Sequence, residues 1–355
     1  MLSANTKSSD FKVSEKHQKE YEKLKNFLFL HTKRAYFVGG CVRDFFLNTS
    51  SNDYDIEVYD IDEKKFSFLM DELGAKKIGR SFSVYKWSVF DIALPRTETK
   101  ISKGHTAFST QLASDEKTAS KRRDFTINAI MINIFSLELL DFWGGIDDIK
   151  NKTIKLIDEE KFQEDSLRVL RAMQFASRLE FKIEEKTIQT CLKIPLSDLS
   201  KERIFLEFRK MFLSKNLIFG LYYAIRLDIL NKLFEICINF KEFLTLSKNI
   251  KKEMIFVDKS KKEYFFLYNL YNALLVDLES MLEKLQAPKI YQKELLHQKR
   301  RPKQTSKKFL SALSLHFPIK YWLGINKKIK IESQKLGIYE NYFKHDIKIE
   351  NIIKD

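Results

Sequence analysis

The chain has few of the residues that form tight turns, with only 10 glycines and 5 prolines among 355 residues. That scarcity suits a largely helical protein. Its 3 cysteines, Cys41, Cys191 and Cys237, are far apart and form no C-x-x-C pair, which suits a reducing compartment and gives no zinc site. No run approaches the ~20 apolar residues of a membrane span, and the N-terminus lacks an apolar signal core. We therefore expect a cytoplasmic protein with no membrane partner.

Positive charge is what the chain has in excess. Its 63 Lys and Arg outnumber 48 Asp and Glu, which gives a net charge of +15. Such an excess favours a polyanionic partner, either nucleic acid or an acidic membrane surface. A general bias toward lysine is the alternative explanation. At this length the chain can hold two or three domains, each with its own core.

Residues 36–59 carry the densest chemical pattern. Their order predicts a strand, a Gly39-Gly40 turn, a short helix, a loop and a second strand. Asp53 and Asp55 point to the same face of that second strand, because side chains alternate along a strand. Magnesium is usually held by one or two carboxylates together with substrate phosphates. A glycine turn that leads into a helix N-terminus is suited to anions, so the stretch predicts a metal and phosphate site.

The two motifs are informative only in combination. A D-x-D pair alone is most often a surface turn, and a Gly-Gly pair is an ordinary loop. GGCVRD followed closely by DYD resembles the head-domain signature of the polymerase-β nucleotidyltransferase superfamily. Within it, the stretch resembles the bacterial group that holds the class II CCA-adding enzymes and the poly(A) polymerases. The resemblance implies an α+β fold, with a small mixed-sheet head followed by an all-α neck, body and tail.

A third acid lies in the predicted strand FDIAL. A lone acid in a strand usually faces solvent. The superfamily, however, places a third carboxylate on a neighbouring strand, and Asp91 precedes Ala93 and Arg96 as that acid does in relatives. The resemblance implies that Asp91 helps to orient or deprotonate the attacking hydroxyl.

Residues 95–120 form a long, polar and weakly periodic segment. This segment resembles the flexible loop that assists the change from adding C to adding A.

The segment KRRDFTINA, residues 121–129, would by itself be a solvated basic turn. It matches the second motif of the family. Arg122 and Arg123 could bind a triphosphate as charge-assisted donors. The resemblance implies that Asp124 and Asn128 contact the ribose, and at i and i+4 they could share one helix face. It also implies that Gly39, Gly40 and Arg43 bind the triphosphate.

The segment LLDFWGGIDDI, residues 139–149, resembles the hinge motif of the family. Asp141, Gly144, Gly145 and Asp148 fill its defined positions. The glycines are expected to supply freedom between head and neck. A plain strand-to-helix turn is compatible with the same pattern.

Residues 162–179 form a predicted amphipathic helix. Asp165 and Arg168 are neighbours on one face at i and i+3, where such a pair is usually a surface ion pair. Cytosine and adenine both present an amino donor beside a ring-nitrogen acceptor, which a carboxylate next to a guanidinium satisfies. Uracil and guanine present the opposite order, and each unpaired buried polar group costs roughly 1–3 kcal/mol. The pair could therefore select C and A without a template, as in the class II enzymes, and Arg171 could hold the pair or the phosphates.

The later part of the chain carries weaker signals. Residues 199–213 predict a helix whose ERIFLEF segment resembles the fifth motif, with Glu202 and Arg203 bracing the base-reading helix. Residues 297–308 are the densest basic run, which is usually a solvated face. Its cations are candidates for phosphate contacts with tRNA: Lys299, Arg300, Arg301, Lys303, Lys307 and Lys308.

The resemblance spans residues 34–213 and implies a division into four parts. These are a catalytic head at 1–147, a base-recognising neck at 148–213, a helical body at 214–295 and a tRNA-binding tail at 296–355. The implied reaction is template-independent addition of CCA to the 3′ end of tRNA from CTP and ATP, with two Mg²⁺ ions held by Asp53 and Asp55. No obligate protein partner is expected.

Three alternatives stay open. The first is a bacterial poly(A) polymerase. The G-[RK]-R-F-x-x-x-H segment characteristic of that enzyme is matched only in part here, at residues 79–82. The second is an enzyme that adds only CC or only A. The third, from a different class, is a catalytically inactive RNA-binding relative, against which the intact Asp53 and Asp55 argue.

Overall fold

The computed structural model describes residues 8–78, 84–100, 108–274 and 276–343. The chain divides into two compact units. The first comprises residues 1–168 with Phe181–Ile194, and the second comprises Val169–Glu180 with residues 195–355. The four-part division implied by the family resemblance stays a prediction. In the described part of the chain, no helix is both long and apolar enough to span a membrane.

The first unit is built on strands. In chain order they are β1 (Ala35–Val38), β2 (Tyr54–Val58), β3 (Lys76–Ile78), β4 (Val84–Trp87), β5 (Phe90–Ala93), β6 (Arg96–Lys100), β7 (Phe108–Leu112), β8 (Met131–Asn133), β9 (Leu139–Leu140), β10 (Thr153–Ile154) and β11 (Lys182–Ile183). Among the described residues, seven of these form one sheet in the order β3-β4-β5-β2-β1-β8-β9. Strands β2 and β5 are parallel, whereas the other neighbouring pairs are antiparallel. The predicted small mixed sheet is therefore confirmed.

Short helices connect the strands of this part of the chain. They are α1 (Gln18–Phe29), α2 (Gly40–Phe46), α3 (Glu63–Leu73), α4 (Glu116–Lys121), α5 (Gly145–Lys150), α6 (Glu159–Gln163), α7 (Leu167–Leu179), which continues into the second unit, and α8 (Glu185–Lys193). Single 3-10 turns lie at Ser8–Asp10, Glu15–His17 and Thr126–Asn128.

Local sequence explains where these elements begin and end. All of β1 is buried, as its apolar sequence predicts. Helix α3 begins where the Asp62 side chain accepts a hydrogen bond from the Lys65 backbone N–H, and it ends at Gly74 in the left-handed conformation. That end at Gly74 matches the sequence-based expectation. Such caps fix the helix length, so the strand that follows starts at a defined residue.

The second unit is helical in its described part. Its helices are α9 (Lys201–Phe212), α10 (Leu217–Arg226), α11 (Ile229–Phe234), α12 (Phe240–Glu253), α13 (Phe265–Leu274), α14 (Leu278–Lys284), α15 (Lys289–Leu296), α16 (Lys307–Ser314) and α17 (Lys327–Lys335), with 3-10 turns at Lys259–Tyr264 and Ile319–Tyr321. Large aromatic side chains fill its core, among them Phe212, Tyr291 and Trp322. The predicted helical character of this region is confirmed.

The long polar loop predicted at residues 95–120 is wrong for much of its length. Strands β6 and β7 pair there in antiparallel register, from Arg96 opposite Leu112 to Lys100 opposite Phe108. Helix α4 follows, with Asp115 as its N-cap. The pairing supplies partners for the backbone, which weak side-chain periodicity did not reveal. Residues 101–107, and the partial poly(A) polymerase echo at residues 79–82, lie outside the described residues.

Candidate active site

Three carboxylates converge at the amino ends of β2 and β5. The two strands pair in parallel register, with Asp55 directly opposite Asp91. Asp53 lies immediately before β2 and points to the same side as Asp55. The structure thus places Asp91 beside Asp55 on the neighbouring strand, as the family resemblance implies. The arrangement offers several hard oxygen donors at one sheet edge.

Lys86 lies between two of these acids and is a site residue that the sequence analysis missed. Its Nζ atom is 3.2 Å from Oδ1 of Asp53 and 3.1 Å from Oδ1 of Asp91. Antiparallel pairing of β4 with β5 puts Lys86 directly opposite Asp91. The alternation of β4 could have revealed it, since the neighbouring Tyr85 is buried and Lys86 must face the other way.

Asp55 is held in an unusual electrostatic setting. Its side chain reaches solvent, yet the protein that surrounds it on its other sides desolvates the carboxylate and raises its pKa. The neighbouring acids Asp91, Glu57 and Asp53 raise that pKa further, whereas the Arg123 guanidinium lowers it. A carboxylate crowded by like charges in this way gains from any added cation.

Gly39 allows the close approach of this acid and its arginine. Its φ of +72° is in the region that favours glycine. A Cβ atom at this position would lie 3.3 Å from both Arg123 Nη1 and Asp55 Oδ2. Helix α2 begins at the next residue, Gly40. Any side chain at position 39 would therefore disturb the turn and crowd both Arg123 and Asp55.

Glu57 anchors the arginine pair of the RRD motif and was not predicted. It is buried, and Oε1 accepts hydrogen bonds of 2.8 Å from Nη2 of Arg122 and Nη2 of Arg123. Burial acts to raise its pKa, but Arg123 and Arg122 outweigh burial and lower it. The alternation of Asp53, Asp55 and Glu57 along one strand was the available signal. Glu57 thus holds both guanidinium groups on the strand that carries Asp55.

A buried polar chain runs through the two family motifs. The Arg43 guanidinium is 4% exposed and donates to Asp44 Oδ1 at 2.9 and 2.7 Å and to Asn128 Oδ1 at 2.7 Å. The Asn128 amide donates in turn to Asp124 Oδ1 at 2.9 Å. This geometry favours a bracing role for Arg43 over the direct triphosphate contact that the sequence predicts.

No α-helix spans residues 121–129, so Asp124 and Asn128 do not share the helix face that their i and i+4 spacing would allow. Helix α4 ends at Lys121, and only a 3-10 turn follows, at Thr126–Asn128. Asp124 caps the backbone N–H of Phe125 at 2.8 Å, which competes with continuation of the helix. The side chains of Asp124 and Asn128 meet nevertheless, because the turn brings them together.

The base-recognition pair is placed differently from the prediction. Helix α6 ends at Gln163 and α7 begins at Leu167, so the continuous helix expected over 162–179 is wrong. Oδ1 of Asp165 accepts from the Leu167 backbone N–H at 3.2 Å, which starts a new helix. Asp165 therefore lies in the break, and it does not share a helix face with Arg168. Both side chains are half-buried.

Arg168 joins this break to the RRD motif. Its Nη1 donates to the Lys161 carbonyl oxygen at 2.7 Å, and its Nη2 donates to the Arg122 carbonyl oxygen at 2.5 Å. Arg171 belongs to the second unit, where its guanidinium lies 5.3 Å from the Phe175 ring centroid. Arg168 is thus fixed by two backbone carbonyl groups of the first unit.

The predicted hinge is a tightly packed turn. Asp141 accepts from the backbone N–H groups of Gly145 and Ile146 at 2.8 and 2.9 Å. Gly145 is buried, and a Cβ there would lie 2.3 Å from the Thr126 carbonyl oxygen. Asp148 accepts from the Thr126 hydroxyl at 2.6 Å. The glycine at 145 serves close approach, so the strand-to-helix turn describes this motif better than a hinge.

The basic run at 297–308 divides into inward and outward cations. Arg300 lies 4.1 Å from the Tyr271 ring centroid and donates to the Val276 carbonyl oxygen at 3.0 Å. Arg301 pairs with Glu253 at 2.7 Å. These contacts favour a structural role for both arginines, whereas the exposed members are Lys299, Lys303, Lys307 and Lys308. RNA contact by the lysines stays a prediction, as does bracing by the exposed Glu202 and half-buried Arg203.

Two family descriptions match the chain. Residues 35–155 match the poly A polymerase head domain, and residues 180–239 match the "probable RNA and SrmB-binding site of polymerase A". The first match identifies residues 35–155 as similar to a poly A polymerase head domain. The motifs described above lie within or next to these matched ranges.

Curated relatives are similar over about half of the chain. The CCA-adding enzyme of Enterococcus faecalis is 36% identical over 188 residues, which cover 51% of this chain and 46% of the relative. That of Lactobacillus delbrueckii subsp. bulgaricus is 37% identical over 192 residues, with 51% and 47% covered. The chain thus spans about half the length of the curated relatives it matches.

Solved structures share the fold over more of the chain. The Bacillus stearothermophilus CCA-adding enzyme in complex with CTP matches with a TM-score of 0.69 and 21% identity, covering 92% of this chain and 85% of that one. The Thermotoga maritima CCA-adding enzyme complexed with tRNA matches with a TM-score of 0.67 and 23% identity, covering 97% and 87%. At these identities the likeness shows the fold.

Proposed function

We propose that this chain adds CCA to the 3′ end of tRNA, without a template, from CTP and ATP and with release of pyrophosphate. The observation that carries the proposal is the cluster of Asp53, Asp55 and Asp91 at one sheet edge, beside two arginines held by Glu57. The substrates are supported by curated relatives that are CCA-adding enzymes and by similar solved structures that are complexes with CTP, ATP or tRNA. Action on tRNA agrees with the cytoplasmic location that the sequence predicts.

The carboxylates fit a divalent cation. Their oxygens are hard donors, and the Lys86 ammonium group shows that a cation is already held between Asp53 and Asp91. In the part of the chain that the structure describes, no three acidic, His or Cys side chains form a complete metal site by themselves. Mg²⁺ needs only one or two carboxylates when substrate phosphates supply further oxygens. Asp53 and Asp55 would hold Mg²⁺, which stabilises the attacking and leaving oxygens when bound.

The side chains of the first unit have distinct tasks in this reaction. Arg122 and Arg123 provide fixed positive charge for the triphosphate, because Glu57 orients both guanidinium groups. Asp91 lies beside Asp55 and would accept the proton of the attacking 3′-hydroxyl. Asp165 and Arg168 would present an acceptor and a donor to the base. The attack by the 3′-hydroxyl then forms a bond to the α-phosphorus, and pyrophosphate leaves.

Poly(A) polymerase activity is the second candidate, because both family descriptions refer to that enzyme.

The experiment that separates these functions uses tRNA transcripts that end before CCA, after C and after CC. Each is incubated with CTP, ATP, UTP or GTP and magnesium, and its length is determined at single-nucleotide resolution. Growth by C, C and A that then stops supports the proposal. A stop after CC indicates a partial enzyme, long A tails indicate a poly(A) polymerase, and no growth favours an inactive RNA-binding relative.

A further inference from the structure

Each proposed metal ligand already faces a cation of the chain itself. Asp53 accepts a hydrogen bond of 3.2 Å from the Lys86 ammonium group, which also lies 3.1 Å from Asp91. Asp55 faces the Arg123 guanidinium, which lowers its pKa. The positive charges of Lys86 and Arg123 therefore offset part of the repulsion within the acid cluster in the absence of metal.

The two cations differ in their freedom to leave. Arg123 is 15% exposed in its side chain and is tied to the buried Glu57 at 2.8 Å. The Lys86 side chain is 35% exposed, and its partner Asp53 is 77% exposed. A lysine carries its charge on a flexible four-carbon stem, so its ammonium group can swing into solvent without moving the strand. Only Lys86 of this pair can be displaced at low cost.

We propose that Lys86 is a built-in counter-ion that stands in for the divalent cation, and that metal enters the site by displacing its ammonium group from Asp53 and Asp91. Lys86 is then a positioning residue, which keeps the carboxylates together in the metal-free protein. It also weakens metal binding, because its ammonium group competes with the metal for the same carboxylates. This inference rests on the proposed function, because the metal role of Asp53 and Asp55 is part of that function.

The test measures metal binding without substrate. Binding of Mn²⁺ to the full chain is followed by electron paramagnetic resonance of the free ion, with Lys86→Met, Lys86→Arg and the control Lys77→Met. Lys77 is exposed and lies one strand away, opposite the buried Tyr85, so it faces the other side of the sheet. We expect Lys86→Met to bind Mn²⁺ about tenfold more tightly than wild type, since a competing charge is gone. Lys77→Met and Lys86→Arg should stay near wild type.

A second measurement, the melting temperature, reports how much stability the protein loses without this counter-ion. In EDTA, Lys86→Met should melt at a lower temperature than Lys77→Met, and added Mn²⁺ should raise its melting temperature by more. If Lys86→Met does not fold, Lys86→Gln takes its place in both measurements. Mn²⁺ affinity equal to or below that of Lys77→Met would overturn the inference.

Failure of the inference and failure of the proposed function are distinguishable. If the chain extends tRNA but Lys86→Met binds Mn²⁺ like the control, the counter-ion role is wrong and the function stands. If the chain extends no tRNA but Lys86→Met binds Mn²⁺ more tightly, the function is wrong and the inference stands as a property of a cation site.

Discussion

Arg168 donates a hydrogen bond from Nη2 to the backbone carbonyl oxygen of Arg122. A residue proposed to recognise the base is thereby tied to the motif proposed to bind the triphosphate. The second bond of Arg168, to the Lys161 carbonyl oxygen at 2.7 Å, fixes the plane of its guanidinium group. A fork with two rigid donors suits this task better than a single flexible ammonium group.

Replacing Arg168 should therefore affect both rate and selectivity. Arg168→Lys keeps the charge but cannot reach both carbonyls in the same geometry. We expect kcat/KM for CTP and ATP to fall about a hundredfold, which corresponds to about 2.7 kcal/mol, with weaker discrimination against UTP and GTP. Steady-state kinetics with all four nucleotides on a tRNA transcript measure this effect. Arg178→Lys, later in α7, is the matched control, and equal kinetics for the two variants would refute the role of Arg168.

Glu57 should make the stability of the first unit dependent on pH. Because Arg123 and Arg122 lower its pKa against the opposing effect of burial, its contribution is present above the ordinary pKa of about 4.5 and is lost as pH falls through the folded value. Glu57→Gln leaves two half-buried arginines without their acid and should cost about 3 kcal/mol at pH 7. The difference from wild type should shrink at low pH.

Denaturant unfolding at several pH values tests this prediction for Glu57. The control is Glu72→Gln, because Glu72 is exposed on α3. Its midpoint should stay close to wild type throughout. An equal effect of both substitutions, or a difference that grows as the pH falls, would contradict the prediction.

The turn at residues 144 and 145 offers a matched pair of glycines. A Cβ at Gly145 would lie 2.3 Å from a backbone oxygen, so Gly145→Ala should cost about 3 kcal/mol or more in stability. Gly144 has a φ of +73° and nothing within 4 Å of a built Cβ. Asparagine tolerates that conformation, so Gly144→Asn should cost about 1 kcal/mol or less. Melting temperatures of the two variants measure this difference. If the site were a flexible hinge, both substitutions would instead lower the melting temperature only slightly.

Thiol accessibility tests the packing of both units. Cys41 and Cys191 are buried and Cys237 is exposed. Burial also raises the pKa of the Cys41 thiol to about 12, so it is not ionised near neutral pH. We expect one of the three thiols to react quickly with an aromatic disulfide reagent in the native protein, and all three after unfolding. Two or more fast thiols in the native state would mean that one of these cores is open.

Local pattern predicted the parts of the site that depend on one strand or one turn. Alternation along β2 put Asp53 and Asp55 on one face, and the family resemblance supplied Asp91. Alternation along β4 and β2 indicates which way Lys86 and Glu57 face, but their partners depend on which strands pair and on where Arg122 and Arg123 lie. These are tertiary facts that the period of a single strand does not contain.

The sequence did not predict the helix break at Asp165 for a different reason. An amphipathic period continues across residues 162–179, so it favours one helix. The Asp165 side chain instead caps a new helix at Leu167, and local capping outweighed the period. A similar competition is seen after Lys121, where helix α4 ends and Asp124 accepts a hydrogen bond from the backbone N–H of Phe125.

The most direct measurement is single-turnover addition of C to a tRNA transcript by Asp55→Asn. The substitution keeps the shape of the side chain and removes the charge that faces Arg123 and lies opposite Asp91. Asp71→Asn, on the exposed face of α3, is the control. The account predicts a rate loss on the order of a thousandfold or more for Asp55→Asn, with unchanged tRNA binding in a filter assay. Addition at the wild-type rate would show that the carboxylate cluster is not the catalytic centre.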